Sequence, residues 1–250
     1  MKKIYKMSRN YNSEAKDKTN IYNYNFDDKM NIFKIKNLLE HIDPSKINTV
    51  LEVGCFEGGM THILNKKFKC VDIVEPSTAC IDKMKSLGYS NIFINDILEN
   101  YNTEKKYDLI IISHTLEHID NRIAALKKAE TLLNPNGYLY VVVPNGTSIS
   151  RLIAHKLELL PYPCCVTEGE REHGHFITYD LYSLERDARK TNLDIIDKGG
   201  IILKIFGNSQ YDMALKHNII DDKFLEATYQ LGKHRPMDCS SIYFIGQKNN

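Results

Sequence analysis

Along most of this chain, short apolar runs alternate with segments in which apolar residues recur every three or four positions. Residues 109–112 (Leu-Ile-Ile-Ile) and 141–143 (Val-Val-Val) are typical of strands covered on both faces, as in a parallel sheet. Segments such as the one containing Met60, Ile63 and Leu64 have the spacing of amphipathic helices. The pattern predicts strands at 47–53, 70–74, 91–94, 107–112 and 138–143, with two further candidates at 195–205 and 241–246.

This alternation of strand and helix predicts an α/β fold with a doubly wound, Rossmann-like sheet. No internal repeat or low-complexity linker divides the chain, so one domain is expected over 1–250. Within it we expect an N-terminal arm and helix (1–46), a core (47–143), a loop region (144–178) and a C-terminal part with helices and strands (179–250). In the loop region, prolines, glycines and clustered His and Glu interrupt the alternation of strand and helix patterns, which is typical of substrate loops in α/β proteins.

Composition narrows the possible partners. The 250 residues include 33 Lys and Arg against 32 Asp and Glu, a formal net charge of +1, which argues against binding nucleic acid through bulk charge. No apolar run approaches the roughly 20 residues of a membrane-spanning helix, and no apolar segment of a secretory signal follows the charged N-terminus. We therefore expect a soluble cytoplasmic protein, either a monomer or a homodimer. The six cysteines form no C-x-x-C pair and are expected to be free thiols.

The most informative segment is a strand that runs through a glycine turn into a helix. It contains Glu52, Gly54, Cys55, Phe56 and Gly58. Glycines allow close approach of a ligand to the backbone, and the helix start presents free N–H groups to an anionic group. A dinucleotide fingerprint would have glycine where Phe56 stands, and this side chain would obstruct a pyrophosphate. S-adenosylmethionine has no pyrophosphate, so the turn favours it over NAD.

Two further acids follow the next two predicted strands. Glu75, followed by Pro76, lies 23 positions after Glu52, close to the ~20-residue spacing at which a ribose-binding acid is expected. Asp96, followed by Ile97, ends the third strand and could accept a hydrogen bond from an adenine amino group. An acid after a strand is also an ordinary turn or capping residue. The order of the three acids gives the prediction its weight.

Together these motifs resemble the class I S-adenosylmethionine-dependent methyltransferases. The similar segments are 51–61, 75–76, 96–97, 107–118 and 133–139. The Leu-Glu-His at 116–118 and the Gly-His-Phe-Ile-Thr-Tyr at 174–179 most resemble the branch that contains ubiquinone-type and surface-glycan O-methyltransferases. The resemblance implies a seven-stranded sheet whose last strand is antiparallel. It also implies S-adenosylmethionine as cofactor and S-adenosylhomocysteine as product.

The resemblance also assigns roles to positions of this sequence. Glu52, Gly54 and Gly58, with Cys55 and Phe56 between them, would frame the methionine part of the cofactor. Glu75 and Pro76 would hold the ribose, and Asp96 and Ile97 the adenine. Ser113 and His114 would lie beside the sulfonium. Tyr24 of the N-terminal arm could close over the cofactor, although a Tyr-rich arm is more often packed on the surface.

The acceptor chemistry stays open at this stage. A hydroxyl acceptor would need a base such as His114, His173 or His175, whereas an acceptor that is already ionised would need cationic clamps. Arg151, Arg171 and Tyr179 are candidate acceptor-binding residues, while His175 could equally be structural. The His-x-His at 173–175 lies near three glutamates and could ligate a divalent ion, but the Asp and Asn set of magnesium-dependent relatives is absent, so we expect no metal.

We therefore expect a methyltransferase that O-methylates a small polar or glycan-linked acceptor by direct displacement. A capsule or lipopolysaccharide acceptor, such as a phosphoramidate, is one form of this hypothesis, because residues 225–239 look similar to enzymes of those pathways. The alternatives are an NAD-linked oxidoreductase and a non-catalytic partner subunit that binds the same cofactor.

Overall fold

The computed structural model describes residues 9–13 and 25–250 and contains a seven-stranded sheet. Its strands are β1 Val50–Val53, β2 Val71–Val74, β3 Ile92–Ile94, β4 Tyr107–Ser113, β5 Leu133–Pro144, β6 Asp194–Leu203 and β7 Cys239–Gln247. The order across the sheet is β3-β2-β1-β4-β5-β7-β6. The first five strands are parallel, and β7 runs antiparallel to both β5 and β6. The predicted Rossmann-like sheet with an antiparallel last strand is confirmed.

Nine helices surround this sheet in the described part of the chain. They are α1 Asn25–Leu39, α2 Gly59–Lys67, α3 Thr78–Ser86, α4 Arg122–Leu132, α5 Ile149–Lys156, α6 Glu168–Glu172, α7 Leu181–Ala188, α8 Asn208–Lys216 and α9 Asp222–His234. Short 3₁₀ turns lie at Pro44–Lys46, Leu98–Asn100, Leu116–His118 and Pro236–Asp238. No helix among the described residues is both long and apolar enough to cross a membrane.

Alternate residues of each central strand enter different hydrophobic cores. In β4, Leu109 and Ile111 face α1, α2, α8 and α9, whereas Ile110 and Ile112 face α4 and α7. All four residues are fully buried. Because side chains alternate across a strand, a continuous apolar run is what a sheet covered on both faces requires.

Several element boundaries differ from the sequence prediction. Strand β5 starts at Leu133, several residues before 138, and the Leu-Glu-His segment forms a 3₁₀ turn. The loop region at 144–178 contains α5 and α6, which are too short to show a clear period. The next helix starts at Leu181, where the Asp180 side chain accepts from the Ser183 N–H and caps it.

The parallel strands place their carboxyl ends at one edge of the sheet. Strands β1 and β4 are neighbours at the centre of the sheet. From β1 the chain continues to β2 on one side, and from β4 it continues to β5 on the other side, so the strand order reverses between them. In open α/β sheets, ligands bind at such a switch point. The motifs after β1, β2, β3 and β4 therefore meet at this edge.

Candidate active site

The glycine turn after β1 has the backbone conformation that its sequence requires. Gly54 and Gly58 have φ of +78° and +84°, in the left-handed region that favours glycine. A Cβ on Gly54 would lie 2.5 Å from the Thr115 Oγ1, so this glycine also permits close contact between the β1 and β4 ends. Phe56 adopts φ +45° and so follows the turn although it carries a side chain.

The N-terminus of α2 has no side-chain cap. Its capping residue is Gly58, which has no side chain to accept from the first-turn N–H groups. An uncapped helix start attracts anionic groups through these N–H donors and the helix dipole. The binding of a carboxylate at this helix start stays a prediction.

Glu52 is a buried acid on β1 below this turn. Its Oε2 accepts a hydrogen bond of 2.6 Å from the Thr61 hydroxyl, whereas its Oε1 is buried and has no partner among the described residues. Burial raises the pKa of Glu52 to about 8, while the Thr61 hydrogen bond acts in the opposite direction. A buried acceptor without a donor fits a ligand that brings one, such as the ammonium of a methionine moiety.

Glu75 joins the ends of β1 and β2. Its Oε2 accepts from the backbone N–H of Cys55 at 3.1 Å and of Phe56 at 3.4 Å, and its Oε1 accepts from Ser77 N–H at 2.8 Å. These contacts hold the carboxylate against the glycine turn, at the position where a ribose acceptor is expected. Cys55 is buried, and burial raises the pKa of its thiol, so it is an inert packed residue rather than a nucleophile.

Asp96 and its neighbours form the third part of this edge. The Asp96 Oδ1 accepts from Ile97 N–H at 2.8 Å and from the Asn100 side chain at 3.0 Å. Pro76 lines a shallow pocket with residues 9–12 of the N-terminal arm. Asn12 from that arm accepts from Ala79 N–H at 3.2 Å. Residues 9–12 therefore lie over the loop that follows β2, where the ribose is expected.

The end of β4 brings Ser113, His114 and Thr115 to the same edge. His114 has φ +51°, and its Nε2 lies 3.1 Å from the Ser241 Oγ on β7. The side chain of His114 is solvent-exposed. Desolvation by the surrounding protein nevertheless lowers its pKa well below the usual value, and the positive charge of Lys34 lowers it further. The ring is therefore neutral at pH 7. Thr115, which sequence reasoning missed, donates to Val53 O at 3.0 Å and fixes the β4 end against β1.

Two lysines near His114 were also missed from sequence. Burial lowers the pKa of Lys34 and of Lys204 to about 8 each, so both are mainly protonated at pH 7. Both charges act on His114, and the Lys34 side chain donates to Asn31 Oδ1 at 3.1 Å. Lys34 could have been identified from the sequence, because it lies on the same helix face as Met30 and Leu38, where an apolar residue would be expected.

The loop histidines lie on different sides of a short turn. His175 packs edge-to-face on His118, with ring centroids 4.4 Å apart, whereas the Nδ1 of His173 contacts the Gly169 carbonyl oxygen of its own helix. The Phe176 N–H donates to Glu117 O at 2.9 Å and holds the loop on the β4 end. Of the two histidines, His175 is therefore the one that the fold brings to the strand edge.

The three predicted acceptor-binding residues have other surroundings. Tyr179 is fully buried, and its hydroxyl donates to Asp187 Oδ2 at 3.0 Å, so its predicted contact with the acceptor stays a prediction. The Arg151 guanidinium binds the Pro163 carbonyl and Glu170, at 2.6 Å each, and stabilises the loop. Arg171 is exposed on α6 and stays a prediction. Tyr24 lies outside the described residues.

A family model described as "Methyltransferase domain" matches residues 12–198, which include every strand-end motif described above. The chain belongs to the class I S-adenosylmethionine-dependent methyltransferase family. This membership gives no support to the NAD-linked alternative. The ubiquinone and surface-glycan branch within the family is not confirmed.

Other members of this methyltransferase family match shorter segments. The chain is 30% identical over 142 residues to malonyl-[acyl-carrier protein] O-methyltransferase 2 of Ilyobacter polytropus, covering 54% of this chain and 52% of that protein. It is 27% identical over 111 residues to trans-aconitate 2-methyltransferase of Escherichia coli, covering 44% of each. The matched segments thus span about half of these relatives' length.

Solved structures agree on the fold. The N-methyltransferase NodS from Bradyrhizobium japonicum, in complex with S-adenosylhomocysteine, superposes with a TM-score of 0.60 at 11% identity. The superposition covers 97% of this chain and 100% of NodS. This likeness extends the methyltransferase fold over almost the whole chain.

Proposed function

We propose that this protein transfers the methyl group of S-adenosylmethionine to an oxygen atom of a small, negatively charged acceptor. The observation that carries the cofactor part is the set of acids at the ends of β1, β2 and β3 beside an uncapped helix. Glu52 offers a buried acceptor without a donor, Glu75 lies against the glycine turn, and Asp96 follows at the next strand. Family membership points to the same cofactor.

The acceptor part of the proposal rests on charge. Lys34 and Lys204 are both mainly protonated at pH 7, and both act on His114 at the end of β4. Asp27, whose burial raises its pKa to about 6, is still mainly ionised at pH 7 and offsets part of the charge of both lysines. A carboxylate or phosphate-like oxygen would be attracted to the remaining positive charge, and it would arrive without a proton to be removed. One matching relative is an O-methyltransferase of a malonyl carrier, which supports oxygen as the methylated atom, whereas another is an N-methyltransferase, so the test below includes amines.

The residues then divide into positioning roles. S-adenosylmethionine supplies the methyl group on a sulfonium, and transfer is a direct displacement. Glu52, the α2 N-terminus, Glu75 and Asp96 would hold the cofactor, while Lys34 and Lys204 would hold the acceptor in line with it. Such alignment contributes much of the rate in bimolecular reactions. Neutral His114 is a weak base with its lowered pKa, so it suits a hydrogen bond to the acceptor better than removal of a proton.

The finer acceptor classes are part of the same proposal. A phosphoramidate acceptor carries an anionic oxygen, and a small dicarboxylate carries two carboxylate groups. A glycan-linked acceptor carries a hydroxyl. We further propose that the protein works in the cytoplasm, where S-adenosylmethionine is made.

The test is a screen of methyl transfer from labelled S-adenosylmethionine. The panel contains dicarboxylates, nucleotide-linked sugars, phosphoramidates and primary amines. We expect transfer to an anionic oxygen acceptor, and we expect Glu75→Ala to bind the cofactor at least about 10-fold more weakly, since a charged hydrogen-bond partner contributes roughly 1.5–3 kcal/mol.

Glu104→Gln is the matched control, because Glu104 is an exposed acid away from the strand ends. Cofactor binding without transfer to any acceptor would favour the non-catalytic partner subunit. Transfer to amines alone would contradict the oxygen assignment. Absence of binding to both S-adenosylmethionine and S-adenosylhomocysteine in calorimetry would overturn the whole proposal.

A further inference from the structure

Three side chains that the sequence does not group together meet beyond the end of β4. Glu117 and His118 belong to the 3₁₀ turn Leu116–His118, and His175 comes from the loop that follows α6. One possible ligand atom from each lies within 4.8 Å of the others. The His118 Nε2 and the Glu117 Oε1 are 4.0 Å apart.

The backbone fixes this cluster from both sides. The Phe176 N–H, next to His175, donates to the Glu117 carbonyl oxygen at 2.9 Å. The Arg9 guanidinium donates to the backbone carbonyls of both His118 and Gly174. These backbone hydrogen bonds hold the turn and the loop together.

The donor set has a recognisable chemistry. We infer that Glu117, His118 and His175 form a binding site for a divalent transition-metal ion of the zinc type. Two imidazoles and one carboxylate are the protein ligands of many zinc sites that keep a fourth position open. Bond lengths of about 2.0–2.2 Å in a tetrahedral site separate ligand atoms by roughly 3.3–3.5 Å, so the observed spacing needs a closure of about 1 Å by side-chain rotation.

The geometry also separates this site from neighbouring histidines. His173 is two residues from His175, but its Nδ1 faces the Gly169 carbonyl oxygen of α6. The cluster is therefore different from the His-x-His pair that the sequence suggests. An ion held here would connect the loop at 173–176 to the turn after β4, where Glu117 lies three residues after His114. The His175 nitrogen that binds the ion could no longer accept a proton.

Metal binding is measured on the full chain without reference to methyl transfer. Apoprotein prepared with a chelator is titrated with Zn²⁺ in a calorimeter, with Mg²⁺ as a second arm, and Co²⁺ is added to a third sample for its absorption spectrum. We expect one Zn²⁺ per chain, no saturable Mg²⁺ binding, and cobalt bands of a four-coordinate site. We expect His175→Ala and Glu117→Gln to weaken Zn²⁺ binding more than about 100-fold, since even outer-shell changes cost about 10–100-fold.

His173→Ala is the matched control and should keep the wild-type zinc affinity. Glu117→Gln retains the size of the side chain, so its cobalt spectrum is informative even if His175→Ala fails to fold. The inference is overturned if wild-type protein binds no Zn²⁺ below millimolar concentration, or if His175→Ala and Glu117→Gln bind it as the wild type does. A failure of methyl transfer with normal zinc binding would count against the proposed function alone.

Discussion

Gly54 combines two separate demands on one residue. Its φ of +78° is costly for a residue with a side chain, and the space for a Cβ is taken by Thr115. Gly88 offers a comparison, because its φ of +86° is similar but nothing lies within 4 Å of the place of its Cβ. The two glycines allow the backbone cost and the packing cost to be measured separately.

We predict that Gly88→Ala lowers the free energy of unfolding by about 1–2 kcal/mol, the cost of the left-handed backbone alone. Gly54→Ala should lower it by roughly 1–3 kcal/mol more, because the new methyl group collides with Thr115. Denaturant unfolding of both variants measures the difference. Adding Thr115→Ala to Gly54→Ala should restore part of the additional loss in unfolding free energy, because it removes the side chain with which the new methyl group collides. Equal losses in the two single variants would show that the contact is not tight.

Glu52 carries the clearest consequence for pH. Its pKa is about 8 in the folded chain against an ordinary value of 4.5, so between these values the unfolded chain releases a proton that the folded chain keeps. The contribution of Glu52 to the free energy of unfolding therefore decreases as the pH rises from 4.5 to 8. Glutamine cannot ionise and keeps the shape of the protonated acid.

We predict that the gain in melting temperature of Glu52→Gln over wild type is larger at pH 8 than at pH 5. Thermal unfolding at the two pH values is the measurement, with Glu104→Gln as the exposed control that shows no such difference. A gain that is the same at both pH values would mean that Glu52 titrates normally.

The residue scale also shows what sequence can predict. The positions of Glu52, Glu75 and Asp96 near the strand ends could be predicted, because local pattern indicates where strands end. The burial of Tyr179 could not, because it depends on packing against Asp187, eight residues later. The cluster of Glu117, His118 and His175 depends on a contact across more than 50 residues that no local pattern indicates.

At the scale of elements, the segment between β5 and α7 is stabilised by one arginine. Arg151 on α5 reaches the Pro163 carbonyl oxygen, the Cys165 carbonyl oxygen and Glu170 on α6. Its planar group makes several hydrogen bonds at once, which a lysine cannot reproduce. Arg151 thus connects α5, α6 and the segment between them, and the predicted substrate role of this region stays a prediction.

We predict that Arg151→Lys lowers the free energy of unfolding by about 1–3 kcal/mol and increases amide exchange across 160–172. Arg189→Lys is the control, because Arg189 makes an exposed pair with Glu185 and should have little effect. If Arg151→Lys instead raised the KM of the acceptor without a change in stability, the predicted acceptor-binding role would gain support.

Sequence predicted the strands better than their arrangement. Continuous apolar runs identify β4 and β5 because these strands are covered on both faces. The family resemblance implied an antiparallel last strand, but the position of β7 between β5 and β6 was not predicted, because no local pattern shows which strands pair. The short helices α5 and α6 were missed since eight and five residues are too few for a clear helical period.

At the scale of the whole molecule, the net charge of +1 conceals a division of charge. Acids lie at the ends of β1, β2 and β3, and the cations Lys34 and Lys204 act at the end of β4. The near-neutral total argues against a nucleic-acid surface, which stays a prediction, and it says nothing about a local cationic region. That region appears only when α1 and the chain after β6 meet.

We predict that the KM for an anionic acceptor rises as the pH increases above about 8, because Lys34 and Lys204 then lose their charge. The turnover number should fall as well, because these lysines would also hold the acceptor in line with the cofactor. Steady-state kinetics from pH 6.5 to 9.5 provides the test, and Lys204→Met should raise the KM at pH 7 and flatten its pH dependence. Lys29→Gln, at an exposed pair, is the control.

The antiparallel strand β7 also determines the order in which the two halves of the site can form during folding. Strand β6 pairs with no described strand except β7, and β7 is the last strand in the chain. The parallel unit from β1 to β5 can form as soon as it leaves the ribosome, which would give the glycine turn and its acids early. Lys204 follows β6, so the acceptor half of the site waits for the final strand to insert, and we expect a newly made chain to gain cofactor affinity before it gains acceptor affinity.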